Sequence, residues 1–118
     1  DAMYSSSNEP GGTSYRSRLE DKRFTFAGKT GSSQIRKFTE EQREAEVKQE
    51  QLKYENRDHA LFIAFAPVSD PKYAISVVVE HGGTGSSAAA PIAKKVIKKV
   101  LERHSLRQSI RNLPGDSI

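Results

Sequence analysis

Two neighbouring apolar stretches decide the fold of this chain: HALFIAFA at residues 59–66 and YAISVVVE at residues 73–80. Each has the length of a typical strand and is rich in aromatic or β-branched side chains. The connection PVSDP at residues 67–71 contains two prolines and an aspartate, which is typical of a tight turn. The two stretches therefore predict an antiparallel hairpin. Because apolar residues occupy successive positions in both strands, we expect both of their faces to be covered.

The residues before this hairpin predict one more strand and a charged insertion. Residues 24–35 read as a strand that carries Phe24 and Phe26 on one face. Residues 36–58 are dominated by Glu, Lys and Arg without a strong apolar stripe, so we expect a solvated helix or a mobile excursion between strands. Residues 1–23 are rich in Ser, Gly and Arg, which predicts a loop-rich segment. We expect the end of a helix just before this loop.

The residues after the hairpin predict a C-terminal amphipathic helix. The turn HGGTG at residues 81–85 leads to Ser86 and Ser87, which can cap a helix, and Pro91 is compatible with a first turn. Apolar side chains then recur at helical spacing, with lysines on the other side. The apolar positions are Ile92, Val96, Ile97, Val100 and Leu101, and the lysines are Lys94, Lys95, Lys98 and Lys99.

The predicted fold class is therefore α+β, with a three-stranded antiparallel sheet and one C-terminal helix. The sheet and helix occupy residues 24–104, and residues 105–118 are expected to form a disordered tail because Pro114-Gly115 breaks regular structure. One helix cannot cover both faces of an apolar sheet. We therefore expect a bare apolar face, which marks an interface or a missing part of a larger domain and favours self-association.

Composition excludes several kinds of functional site. The chain has 118 residues, which is enough for one domain at most, and its net charge is +4. It has no cysteine, so disulfide frameworks, thiolate zinc sites and cysteine nucleophiles are excluded. His59, His81 and His104 lack metal-ligand spacing, and the sequence predicts no metal and no cofactor. No apolar run reaches about 20 residues, the length of a membrane span. Since the chain begins at Asp1, we expect a fragment whose targeting segment lies elsewhere.

The triplet Lys29-Thr30-Gly31 is the strongest candidate for a binding site. It combines a cation, a hydroxyl and a position without a side chain on a predicted strand, and Ser32 follows. In ideal alternation Thr30 and Ser32 share one face at a spacing of roughly 7 Å, so that their hydroxyls can bind one carboxylate. Lys29 has the opposite parity. An ordinary polar edge strand, on which a lysine deters pairing, remains the alternative interpretation.

Two other features have ordinary structural explanations. The sequence GGTGSS at residues 82–87 resembles a phosphate-binding loop before a helix, but it lacks the Gly-Lys-Ser/Thr ending and equally suits a tight strand-to-helix turn. The lysines at 94–99 could contact nucleic acid, although charge runs on helices are usually solvated faces.

Three segments, in order, resemble the penicillin-binding proteins. AGKTGSSQ at residues 27–34 resembles their third active-site motif, and RDHALFIAFAP at residues 57–67 is similar to the strand that follows it. EHGGTGSSAAAPIA at residues 80–93 is similar to the turn into the last helix of the elongation-type class B enzymes, the penicillin-binding protein 2 group. Division-type relatives end this strand differently. The similarity extends over about residues 10–102.

This resemblance implies a serine β-lactamase-like fold, of which the chain would be the C-terminal part, and a D,D-transpeptidase that cross-links peptidoglycan and binds β-lactams. It implies that Lys29 serves the proton relay and the electrostatics of the site, that Thr30 and Ser32 bind the substrate carboxylate beside Gly31, and that the Ser32 backbone N–H donates to the oxyanion. The implied partners are stem peptides, β-lactams, the rest of the domain and the cell-elongation machinery. The implied location is the periplasmic side of the cytoplasmic membrane, anchored by a segment absent here.

The chain departs from the family at the nucleophile. The family's Ser-x-x-Lys and Ser-x-Asn motifs have no credible match, since Ser6-x-Asn8 lies too close to the third motif. We therefore expect the nucleophile to lie outside this chain and the isolated fragment to be inactive. Two alternatives remain open. One is a small basic nucleic-acid-binding module that uses the lysines at 94–99. The other is a serine β-lactamase relative, against which residues 82–92 argue.

Overall fold

The computed structural model describes residues 1–34 and 54–112. Most of the predicted charged insertion at 36–58 lies outside these residues. The described elements are, in chain order, α1 (Ala2–Asn8), a 3-10 turn (Tyr15–Ser17), β1 (Ala27–Ser33), a 3-10 turn (Tyr54–Asn56), β2 (His59–Ala66), β3 (Tyr73–Val79), a π-helical turn (Gly85–Ala89) and α2 (Ala90–Arg111).

The three strands form one antiparallel sheet in the order β1-β2-β3, as the sequence predicts. Thr30 of β1 lies opposite Phe62 of β2, which in turn lies opposite Val77 of β3. The central strand has the predicted bounds, and β3 ends one residue early, at Val79. The α+β class is therefore confirmed, and β1 is left as an edge strand.

The first strand is shorter than predicted. It begins at Ala27 because Asp21–Phe24 forms a turn, in which the Phe24 N–H donates to the Asp21 carbonyl at 2.9 Å. The prediction that Phe24 and Phe26 belong to a strand is therefore wrong, although both side chains are buried. The Phe26 ring meets Phe62 edge to face at 5.8 Å between centroids. The apolar alternation predicted the burial of both side chains correctly, but the turn at Asp21–Phe24 determines the backbone conformation there.

The core lies between one face of the sheet and α2. The alternate β2 residues Ala60, Phe62, Ala64 and Ala66 all point into it. The helix contributes a stripe of buried residues that is shifted from the predicted one: Ala90, Ala93, Ile97 and Leu101. Ile92 and Val96 are exposed instead. Alanines at two contact positions allow α2 to approach the sheet closely. The choice of buried stripe is therefore set by packing distance rather than by side-chain hydrophobicity.

The helix begins and ends differently from the prediction. Ser86 and Ser87 lie inside the π-helical turn, and the N-cap residue of α2 is Ala89, which makes no side-chain cap hydrogen bond. Pro91 occupies the first turn as expected. At the other end α2 continues to Arg111, so residues 105–111 are helical where the sequence predicted the start of a disordered tail. No breaker occurs before Pro114-Gly115, and residues 113–118 lie outside the described residues.

The N-terminal segment packs along β1 rather than forming loop alone. The Asp1 side chain caps α1 by accepting a hydrogen bond from the Met3 N–H at 3.0 Å. At its other end, the Asn8 side-chain amide donates to the Phe26 carbonyl at 2.8 Å. The segment therefore lies beside the edge of the sheet that β2 does not use.

The other face of the sheet is bare in places, as the mismatch between strands and helices predicts. Ile63 of β2 is 50% exposed and Val78 of β3 is 58% exposed. Among residues 1–34 and 54–112, the expectation that both faces are covered is therefore wrong at these two positions. Self-association through this face stays a prediction.

Candidate functional site

The candidate site lies on the free edge of β1. The Gly28 N–H donates to the Ser7 hydroxyl at 3.1 Å, and the Gly28 carbonyl accepts from the same hydroxyl at 3.3 Å. Both backbone groups of Gly28 therefore point away from β2. Because backbone groups alternate between the two edges of an antiparallel strand, those of Thr30 and Ser32 point to this free edge as well. The predicted oxyanion donor, the Ser32 N–H, thus belongs to the edge that faces away from the sheet.

The side chains follow the predicted parity. Thr30 and Ser32 lie opposite Phe62 and Ala60, both of which are buried in the core, so the two hydroxyls share one face. Lys29 lies opposite the exposed Ile63 on the other face. Its ammonium nevertheless donates to the Thr30 carbonyl at 3.0 Å. A cation, two hydroxyls and outward N–H groups therefore converge along a short piece of edge, which suits an anionic ligand.

The glycine-rich turn forms the wall behind this edge. A Cβ placed on Gly85 would lie 2.3 Å from the Leu61 carbonyl oxygen and 3.0 Å from the Thr30 Cβ. The turn itself is a tight strand-to-helix connection, in which the Gly82 and Gly83 N–H groups donate to the carbonyls of Val79 and Asp58. Gly83 requires its left-handed φ of 93°. The strand-to-helix explanation is therefore correct, and the turn contributes to the site as a support.

Sequence reasoning missed the hydroxyl residues that hold the edge strand from the N-terminal side. Ser7 and Ser14 are buried and join their hydroxyls at 2.9 Å. One step along, the Ser6 and Thr13 hydroxyls lie 3.0 Å apart, and the Thr30 hydroxyl donates to Thr13 Oγ1 at 3.2 Å. The two pairs share a seven-residue spacing, but nothing in the sequence indicates that they meet β1.

Two short stretches of the described chain spell the missing motifs, and the structure places both. Ser6-x-Asn8 belongs to α1, where Asn8 is engaged by the Phe26 backbone. A Ser-x-x-Lys spelling also occurs at Ser69 to Lys72, in the connection between β2 and β3, where Lys72 pairs with Asp70 at 2.9 Å. Ser32 lies opposite Ala60, six residues before the end of β2, so this connection is about 20 Å from Ser32 along the sheet.

An open depression next to Lys29 has a volume of about 390 Å³ and is lined by α1 and by the loop that contains Thr13. Among the described residues that line it, Glu9 is the only acidic one. The cationic Lys29 and the hydroxyls of Ser6 and Thr13 face the same space. This depression extends the free edge of β1 toward α1.

The basic surface proposed for nucleic acid carries mixed charges. Lys94 and Lys98 border a depression together with acidic residues, among them Glu20 and Asp21. Hydrogen bonds from the Arg23 side chain and N–H hold the pKa of the Asp21 carboxyl below its ordinary value, and Asp21 raises the pKa of Arg23. Such pairing weakens the field that a polyanion would meet.

Within residues 1–34 and 54–112, no three His, Asp or Glu side chains come together as a metal site. His59 and His81 contact each other instead, since the His81 N–H donates to His59 Nδ1 at 2.9 Å. In the same part of the chain, no helix combines the length and apolar character that crossing a membrane requires.

Comparison with known proteins identifies the family. Residues 1–98 match the penicillin binding protein transpeptidase domain. The chain is 36% identical over 112 residues to the peptidoglycan D,D-transpeptidase MrdA of Haemophilus influenzae, and this match covers 95% of the chain but 17% of the relative. This chain therefore spans about a sixth of that protein's length.

Solved structures agree with this match. A penicillin-binding protein (PBP2) from Helicobacter pylori, determined in a complex with MreC, superimposes with a TM-score of 0.66 at 34% identity, covering 85% of this chain and 16% of that one. PBP2 of Pseudomonas aeruginosa, in complex with WCK 5153, gives a TM-score of 0.57 at 32% identity, covering 81% and 17%. Most of this chain therefore shares its fold with these two solved penicillin-binding proteins.

Proposed function

The chain belongs to the penicillin-binding protein transpeptidase family, and on that premise we propose that it forms one wall of the active site of an elongation-type peptidoglycan D,D-transpeptidase. The observation that carries the proposal is the free edge of β1. There Thr30 and Ser32 present hydroxyls from one face, and the Lys29 ammonium reaches the same edge. Relatives that bear the name peptidoglycan D,D-transpeptidase match the chain over most of its length.

Each group has a role that its chemistry suits. The Thr30 and Ser32 hydroxyls bind the terminal carboxylate of a D-Ala-D-Ala stem peptide or of a β-lactam, next to the side-chain-free Gly31. The Ser32 N–H donates to the oxyanion that develops when a serine attacks the penultimate D-Ala carbonyl. The Lys29 charge supports this anionic end and the proton relay. The tetrahedral intermediate then expels the terminal D-Ala, whose amine takes up the proton from the serine, and an acyl-enzyme ester remains. The acceptor amine of a stem peptide on a neighbouring glycan strand attacks this ester and releases the serine.

The attacking serine is proposed to lie on residues other than these 118. The bare outer face of the sheet, with Ile63 and Val78 exposed, supports this division because a partial domain leaves such a face. By analogy with the Helicobacter pylori protein in its complex with MreC, we expect an elongation-machinery partner for the whole protein. The expected location is the periplasmic side of the cytoplasmic membrane.

Labelling with a fluorescent penicillin tests the proposal. The natural full-length product of the gene that encodes this chain should become covalently labelled, and the isolated 118-residue chain should not. Thr30→Val in the full-length protein should slow labelling by at least ten-fold, since a charge-assisted hydrogen bond contributes about 1.5–3 kcal/mol. A full-length product that is never labelled would refute the function, and labelling of the isolated chain would refute the placement of the nucleophile.

A further inference from the structure

The Thr30 hydroxyl already has a partner inside the chain. It donates to Thr13 Oγ1 at 3.2 Å, and Thr13 in turn lies 3.0 Å from the hydroxyl of Ser6. Three hydroxyls thus form a row that begins on α1 and ends on the edge of β1. A hydroxyl can donate one hydrogen bond and accept two, so each member can keep both neighbours while its proton turns round.

The backbone around Thr13 is fixed from both sides. A Cβ on Gly12 would lie 2.2 Å from the Ser6 carbonyl oxygen, so this glycine rests directly on the backbone of α1. On the other side, the Ser14 N–H donates to the Ser6 carbonyl at 3.1 Å, and the Ser14 hydroxyl oxygen lies 3.2 Å from the same carbonyl oxygen. Ser14 is also tied to the buried Ser7, which holds both backbone groups of Gly28. Thr13 is therefore held at a set distance from β1 rather than carried on a loose loop.

We propose that Thr13 is a positioning residue for the carboxylate-binding hydroxyl of Thr30, with Ser6 behind it. In the ligand-free chain the Thr30 O–H donates to Thr13. When a carboxylate occupies the edge, the Thr30 O–H turns to it, the Thr13 O–H donates to Thr30 Oγ1, and the Ser6 O–H donates to Thr13. All three protons then point toward the anion, and hydrogen bonds aligned in one direction polarise and strengthen one another.

This role is distinct from that of the buried pair. Ser7 holds the strand's backbone at Gly28, two residues before Thr30, and Ser14 contacts Ser7 from behind. Thr13 instead contacts the functional hydroxyl itself and is exposed, so its side chain contributes little to the core. Removal of the Thr13 hydroxyl should therefore affect ligand binding more than folding. The inference rests on the proposed function, because it assigns a residue that acts through the carboxylate-binding Thr30.

The test measures the second-order rate constant of acylation by a fluorescent penicillin in the natural full-length protein. Thr13→Val keeps the shape but removes the hydroxyl and should lower the rate constant about five-fold, the size expected for one neutral hydrogen bond. Thr13→Ser should restore most of the rate. Ser5→Ala is the matched control, because the Ser5 hydroxyl donates to the carbonyl of Asp1, the N-cap residue of α1, rather than to a group on β1.

A double-mutant cycle separates positioning from a general structural effect. In a Thr30→Val background, Thr13→Val should produce no further loss, since its effect passes through the Thr30 hydroxyl. Equal rates for Thr13→Val and Thr13→Ser, or the same five-fold loss in the Thr30→Val background, would overturn the inference. A wild-type protein that is never acylated would instead refute the proposed function, so the two failures are distinguishable.

Discussion

Replacement of Gly85 by alanine should displace the wall behind the candidate site. Gly85 is buried, and a Cβ there would lie 2.3 Å from the Leu61 carbonyl oxygen, whereas real Cβ atoms essentially never approach closer than 3.0 Å. The turn and the central strand must therefore separate by about 0.7 Å. The Thr30 Cβ at 3.0 Å and the Gly31 nitrogen at 3.1 Å block movement toward β1.

The expected cost is at the upper end of the usual range for overpacking, about 3 kcal/mol. The closest atom is a backbone carbonyl of the central strand rather than the end of a flexible side chain, so relaxation is limited. With a urea m-value of about 1.5 kcal/mol/M, the midpoint of unfolding should fall by about 2 M. Urea titration followed by circular dichroism measures this shift directly.

Gly31→Ala, on β1 beside the same site, provides the matched control. Its Cβ would meet only the Leu61 Cβ at 3.8 Å, which is an ordinary contact. The free energy of unfolding should therefore stay within about 0.5 kcal/mol of the wild-type value, or rise slightly because alanine restricts the unfolded chain. If Gly85→Ala and Gly31→Ala unfold at the same urea concentration, the turn does not pack on β2 as described.

Two further substitutions test the supports of the sheet. Ser7→Ala removes the buried hydroxyl that bonds both backbone groups of Gly28, and urea titration should show a loss of about 1–3 kcal/mol. Ser5→Ala should change stability by less than about 0.5 kcal/mol, and equal losses for both would contradict the assigned contact. His81 has a left-handed φ of 52°, and its N–H donates to His59. His59→Phe removes this acceptor, so thermal unfolding should occur about 4 °C lower. His59→Asn retains an acceptor and should unfold closer to the wild type, and the reverse order would refute this interpretation.

Patterns that repeat along the chain predicted the sheet well. The apolar runs at 59–66 and 73–80 gave both strands and their hairpin because β-pairing of adjacent segments needs only local information. The alternation at Thr30 and Ser32 also gave their common face correctly. Residues 27–34 and 80–93 carried the family resemblance, and the family match agrees with it.

Patterns that depend on close packing were predicted less well. The buried stripe of α2 uses Ala90 and Ala93 in place of Ile92 and Val96, because small residues bring the helix near the sheet. A hydrophobicity pattern ranks isoleucine and valine above alanine, so it does not predict that the alanines are the buried residues. The prediction that β1 begins at Phe24 was wrong for a similar reason. The hydrogen bond of a turn at Phe24 outweighed the strand propensity of the segment.

The sequence by itself determined the three strands, the parity of Thr30 and Ser32 and the family, because these follow from side-chain alternation and short motifs. Only the tertiary structure decided which edge of β1 is free and what borders it. Gly85 meets Thr30 across 55 residues, and Thr13 meets it across 17. Such contacts arise when separate segments pack against one strand, and no local pattern records which serine or glycine will lie there.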